Sequence, residues 1–177
     1  MSYVPVASAV ELAPLAAVIY PKGTPIDALL REVVVQMQAR GLHVAGVIQE
    51  TTDGSVGGCE SLVLRETDSG HITSITENRG KGARGCKLDP CALADVAARL
   101  EECLEDNPDL LVINRFGKSE IEGRGLRSVL SEALLRGIPV LTAVRDMNAV
   151  AWAEFHQGLA LDLPPDREAL MNWAQGV

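Results

Sequence analysis

Along most of the chain, short continuous apolar runs alternate with longer stretches in which apolar residues recur every three or four positions. Leu15–Tyr20 (LAAVIY) reads as a strand buried on both faces. The turn Pro21–Asp27 follows, with Asp27 placed to cap a helix through Arg40 whose inner face carries Leu29, Leu30, Val33 and Met37. Gly41 stops that helix, and LHVAGVIQE is the next strand, so the chain opens as a βαβ unit. From Asp89 the same rhythm returns. It gives a helix over residues 90–106, the strand Leu110–Ile113, a helix near 121–136, the strand IPVLTAV, a helix from Asp146 through Phe155, the short strand LALDL, and a last helix with Pro165 near its start.

The middle breaks this rhythm. SLVLRE and HITSI flank Asp68-Ser69-Gly70 and read as a β-hairpin. A long loop rich in Gly, Lys and Arg, Thr76–Cys91, comes next. Such a loop inside a compact domain is usually functional or disordered. The expected architecture is a three-layer α/β domain with a mainly parallel sheet and an inserted hairpin. One domain is expected over residues 1–177, with a loosely held arm at 1–14 and the hairpin and basic loop at 59–88.

Composition narrows the function. Net charge is −8 and the pI about 4.9, so the basic footprint of a nucleic-acid binder is missing. Aromatics make up 3% of residues, too few for a base-stacking platform, and the core must be aliphatic. No basic leader and no uncharged apolar stretch of about 18 residues is present. The expectation is a cytoplasmic protein with no membrane or nucleic-acid partner. Its four cysteines then read as thiols or metal ligands rather than disulfides.

Three segments carry candidate chemistry, each with a plainer alternative. The turn after the first strand has the place and length of a phosphate-cradling P-loop. Ile26 and Pro25, however, stand where that loop needs Lys and Gly, and Asp27 where it needs Ser or Thr. Lys22, Gly23 and Thr24 could compensate in part; an ordinary capped turn is the alternative. In the second segment, Leu110–Ile113 ends at Asn114, where a Walker-B strand would place an Asp for Mg²⁺. Arg115 and Lys118 could reach an anion and Glu120 could act on water, or the charges could simply suit a helix start. In the third, Arg79, Lys81, Arg84 and Lys87 lie among Gly80, Gly82 and Gly85, a composition that folds round oxyanions; the alternative is a basic loop that binds nothing. Cys86 lies in that basic stretch, just before the Asp89 helix start. With Cys59 and Cys91 it forms a candidate soft-metal set that lacks a second ligand pair. Cys103 reads as core.

The blocks AAVIY, DALL, GLHVAGVIQE, GCKLDPCAL and DLLVINRFGKSEIEGRGLRSVLSEALLRGIPVLTAV together resemble the DUF2478 family of uncharacterised bacterial proteins, from about Leu15 to Leu163. That family in turn resembles P-loop NTPases of the THEP1-like nucleoside-triphosphatase kind. Where those run into DEIGKMEL this chain has NRFGKSEI, so Gly117, Lys118 and Glu120 match while Asn114 and Arg115 depart. The resemblance implies a P-loop-NTPase-type fold and a link to molybdenum metabolism. The expected ligand is a small anion, either a nucleotide with Mg²⁺ or an oxyanion such as molybdate. Lys22, Gly23, Thr24 and Asp27 would form one wall, Arg84, Cys86 and Lys87 a cover, and Asn114, Arg115, Lys118 and Glu120 the floor. An active nucleoside-triphosphatase and a protein-interaction module, with a homo-oligomer or another protein as partner, stand as alternatives.

Overall fold

The computed structural model describes residues 14–52, 61–77 and 87–177. Seven strands form one sheet: β1 (Leu15–Tyr20), β2 (Val44–Thr52), β3 (Ser61–Glu66), β4 (Ile72–Ser74), β5 (Leu110–Ile113), β6 (Val140–Arg145) and β7 (Ala160–Leu163), in the spatial order β4-β3-β2-β5-β6-β1-β7. The pairs β2·β5, β5·β6, β6·β1 and β1·β7 are parallel; β3 and β4 extend the sheet as an antiparallel hairpin. The expected parallel sheet with an inserted hairpin is what forms.

Helices cover both faces because the central strands are apolar on both sides. Ala16, Val18, Leu110, Val112, Leu141 and Ala143 point to one face and pack under α1 (Ile26–Ala39) and α6 (Arg167–Gln175). Ala17, Leu111, Ile113, Val140 and Val144 point to the other, under α2 (Pro90–Leu104), α4 (Arg127–Leu135) and α5 (Ala149–His156). Three aromatics meet there: Phe116 lies 5.0 Å from Trp152 and 4.9 Å from Phe155, centroid to centroid. The Trp152 indole N–H donates to Asp162 on the edge strand at 3.1 Å. Among the described residues no helix is long and apolar enough to cross a membrane.

Three boundaries differ from the pattern-based expectation. The helix expected near residues 121–136 is broken into a single turn, α3 (Lys118–Ile121), and α4. Gly123 and Gly125, at φ +81° and +62°, turn the chain between them through a left-handed region that helix periodicity does not register. The segment after β6 starts as a short 3-10 turn, Asp146–Asn148, before α5. Asp27 is not a cap: α1 starts one residue earlier, after Pro25, and the Asp27 side chain is used elsewhere. Asp89 does cap α2 as expected, accepting from the N–H groups of Cys91 and Ala92.

Strand β2 positions the site. It pairs with β5 only over Val44–Val47 but continues to Thr52 against β3. Residues 48–52 therefore stand about 16 Å beyond the end of β5, at roughly 3.3 Å per residue. The insertion is fastened behind this overhang. Arg99 on α2 donates to buried Glu66 at 2.6 Å and to Thr73 at 2.7 Å, and Ser69 donates to Glu66 at 2.8 Å. Gly46 lets β2 approach β5, since a Cβ there would lie 2.0 Å from the carbonyl oxygen of Val112. Gly46→Ala should cost on the order of 3 kcal/mol by moving the strand or its neighbour. A urea titration checks this: the midpoint should fall, and an unchanged midpoint would contradict the contact.

Candidate functional site

The parallel strands end at one rim. Tyr20 closes β1, Arg145 closes β6 and Asn114 follows β5. In open α/β sheets this carboxyl edge is where ligands bind.

The loop from β1 to α1 closes on itself. Pro21–Thr24 closes as a tight turn: the Thr24 amide and hydroxyl both donate to the Pro21 carbonyl, at 3.4 and 2.9 Å, and Gly23 takes φ +93°. Four of the loop's residues are spent on that turn. The start of α1 is left without a side-chain cap, and its first free N–H groups, those of Asp27 and Ala28, face the rim end of the helix. Lys22 is exposed, with no ion-pair partner among the described residues.

Arg115 joins the first and second segments. Its Nε donates to the Tyr20 hydroxyl at 2.9 Å and its Nη2 to Asp27 Oδ2 at 3.0 Å. Both Arg115 and Asp27 are 31% exposed at the side chain, so this ion pair is half-buried. Burial works against the guanidinium charge, but the Tyr20 and Asp27 oxygens outweigh it and hold the Arg115 pKa above its ordinary value. Asp27 Oδ1 and Asn114 Nδ2 are buried with no hydrogen-bond partner. The Arg145 guanidinium lies over the Tyr20 ring, 5.9 Å from its centroid.

Between the turn and the β2 overhang lies an open cleft of about 500 Å³ lined by Thr24–Ala28 and Arg31 on one side and Gln49–Thr51 on the other. Glu50 in its wall accepts from Arg65 at 2.9 Å and Arg31 at 3.2 Å; the Arg65 hydrogen bond holds its carboxyl below the usual range.

The segment after Asn114 divides between the two faces. Arg115 turns to α1, whereas Phe116 enters the core under α5. Lys118, Glu120 and Arg127 follow Phe116. The floor expected from Asn114 to Glu120 is thus split: Arg115 reaches Asp27 in the cleft wall, Lys118 and Glu120 follow Phe116, and none of Asn114, Arg115, Lys118 and Glu120 is itself among the lining residues. Lys118 is exposed and sits 4.0 Å from Glu122. Glu120 is buried at 7% exposure. Its carboxylate oxygens accept from the N–H groups of Gly117 and Leu126, both at 3.0 Å, and its carbonyl accepts from Arg127. Where the sequence suggested a base for water, the fold shows a carboxylate that ties its own loop together. Gly125 permits this, because a Cβ there would lie 2.2 Å from Glu120 Oε1.

The cover behaves differently. Arg84 and Cys86 lie outside the described residues, as do Arg79, Lys81 and Cys59. Lys87 is exposed on a stem where its carbonyl accepts from Glu77 N–H at 2.7 Å, beside the bridge Thr76↔Leu88. That stem adjoins β3 and β4, several strands from β1. Cys91 is exposed and free, and among the described residues no group of three or more His, Cys, Asp or Glu could hold a metal. Cys103, read as core, packs half-buried beside α2's inner face; burial, then its bond to Asp68, pushes its thiol up to about 12.

Sequence reasoning missed Tyr20 and Arg145. Both are the last residues of their strands and are register partners; a polar side chain at a strand's carboxyl end was the available signal.

The strand order and the helices on both faces define an α/β domain of P-loop-NTPase type in its fold. The chain belongs to the DUF2478 family, described as a protein of unknown function, which matches residues 15–173. It is 35% identical over 161 residues to the molybdenum import ATP-binding protein ModC 2 of Bradyrhizobium diazoefficiens; that stretch covers 90% of this chain and 18% of the relative's length. The fold matches the solution structure of a human cancer-related nucleoside triphosphatase with a TM-score of 0.63 at 15% identity, over 92% of this chain and 94% of the other.

Burial dominates the Glu120 environment and raises its pKa, with the backbone N–H groups opposing it. Its native carboxyl thus holds a proton more tightly than the unfolded chain's. Wild-type stability should gain from this residue as pH falls through the raised pKa toward the ordinary value near 4.5, and lose that gain as pH rises. Glu120→Gln removes the titration and sets an NH₂ against one of the two N–H donors, costing about 1–3 kcal/mol at neutral pH. Denaturation of both proteins from pH 4 to 8 checks this (about half a unit per step); parallel curves would contradict it.

Proposed function

We propose that this protein binds a small tetrahedral oxyanion, or the phosphate chain of a nucleotide, in the cleft between the β1–α1 turn and the β2 overhang. The observation that carries the reading is the uncapped start of α1 beside the Arg115 guanidinium. Free helix N–H groups and a planar cation are complementary to phosphate-like oxygens. Lys22 is an exposed cation, unpaired among the described residues, two residues before Thr24 of the cleft lining; Gly23 shapes the turn between them, and Asn114 carries an unused amide after β5. The ATP-binding and molybdenum-import roles named for the bacterial relative favour a nucleotide or molybdate, although the matched stretch is a small part of that protein.

Turnover is the second reading, favoured by the triphosphatase fold match alone. It would ask Lys22 or Lys118 to replace the missing P-loop lysine and Glu120 to activate water. The bonds that Glu120 makes to Gly117 and Leu126 support binding without hydrolysis instead.

A thermal-shift panel of ATP, GTP, phosphate, molybdate and tungstate tests this. A ligand at 100 times its Kd should add about 2.7 kcal/mol of stability. Lys22→Glu, at an exposed position, should weaken the binding anion by roughly 10–100-fold if the lysine makes a charge-assisted contact. No shift with any anion overturns the binding reading. Phosphate release from a nucleotide that is abolished in Glu120→Gln would establish the enzyme.

A further inference from the structure

A nucleotide site of this fold type would ordinarily hold Mg²⁺ between the residue at Asp27 and the residue at Asn114. The residues present do not fit that ion. Mg²⁺ asks for near-octahedral oxygen ligands and is bound through carboxylates and phosphates. Asn114 supplies no negative charge. Asp27, the carboxylate left, already carries a cation on Oδ2 at 3.0 Å, and Oδ1 is buried. An arriving dication would meet the guanidinium.

We propose that Arg115 stands in for the divalent cation, so that this site takes its oxyanion without metal. The inference rests on the binding reading above and names how that site is charged. Arg has five N–H donors in one plane. Arg115 commits one at Nε to Tyr20 and one at Nη2 to Asp27, and no acceptor engages its Nη1 among the described residues. The guanidinium therefore neutralises Asp27 and still presents a free edge to an anion. Tyr20 fixes its orientation, and Arg145, itself 3.9 Å from Asp146, lies 5.9 Å from the Tyr20 ring centroid. Its 31% side-chain exposure leaves that edge reachable. A metal would carry two charges and its own water; Arg115 carries one charge, is never released and cannot be chelated.

The test has two arms. In the first, Mn²⁺ binding is followed by electron paramagnetic resonance for wild type, Asp27→Asn, Arg115→Ala, Arg115→Lys and the double variant Arg115→Ala/Asp27→Asn, with circular dichroism to confirm folding. Wild type and Asp27→Asn should give the same trace, which discounts weak binding by glutamates elsewhere. Arg115→Ala should gain one bound Mn²⁺ that the double variant loses, and Arg115→Lys, which keeps the charge, should gain none. Wild-type binding that Asp27→Asn abolishes, or no gain in Arg115→Ala, overturns the inference. In the second arm, calorimetry measures ATP and molybdate binding with EDTA and with MgCl₂. Affinities within about twofold of each other support the inference, and an increase of about tenfold with Mg²⁺ overturns it. If neither anion binds in either buffer, the binding reading falls, and the Mn²⁺ arm still decides whether Arg115 holds the cation's place.

Discussion

The rim of this sheet is organised by one guanidinium. Arg115 connects the end of β5 to the end of β1 through the Tyr20 hydroxyl and to the start of α1 through Asp27. Strand β6 lies between β5 and β1, so the side chain bridges over a strand to join elements that the sheet keeps apart. A carboxylate in the first turn of α1 would otherwise be half-buried with nothing to balance its charge. The pair has a further consequence: the negative charge that Asp27 brings to a helix N-terminus is cancelled from within the protein, which leaves the helix N–H groups available to something else.

Two carboxylates near the rim thus have opposite partners. Asp27 faces a cation and lies in the cleft wall. Glu120 faces backbone N–H groups and lies on the other side of the sheet, under a loop shaped by Gly123 and Gly125. At Glu120 desolvation outweighs the hydrogen bonds, whereas at Arg115 desolvation is outweighed by the Tyr20 hydroxyl and Asp27 together. The chain changes faces between Arg115 and Phe116, and the aromatic cluster fixes that change, because Phe116 is fully buried against Trp152 and Phe155. Packing under α5 decides which charged residues share the cleft.

The inserted hairpin also acts on the site. By pairing with β2 beyond the reach of β5, β3 supports an overhang whose residues Gln49–Thr51 form the second wall. The Glu66–Arg99 pair anchors the hairpin to α2 and so keeps that wall in place. The chain shares its fold with the nucleoside triphosphatase and carries polar residues at the carboxyl rim of its sheet. The particular cation arrangement there comes from this chain's own residues.

The strands, the two-faced core and most helices were legible in the sequence because each depends on local periodicity: Leu110–Ile113 can only be a strand buried on both sides, and Asp89-Pro90 announces a helix start. The polar residues at the end of β5 marked the carboxyl end of that strand for the same reason. The break between α3 and α4 was not legible, since helix periodicity carries through Gly123 and Gly125 and the turn depends on φ values that only the packed loop requires. Nor was the use of Asp27, which looks like a cap until Arg115, 88 positions away, claims its oxygen. Glu120 shows the same limit: its charge and spacing suggest chemistry at a strand end, and only the burial of its loop shows which N–H groups it accepts from. Sequence alone determined the strands and where each ends, because these are set by local polarity and periodicity; the tertiary structure decided which rim residues meet, Tyr20 and Arg145 among them, because partner choice is set by where distant backbone segments pack.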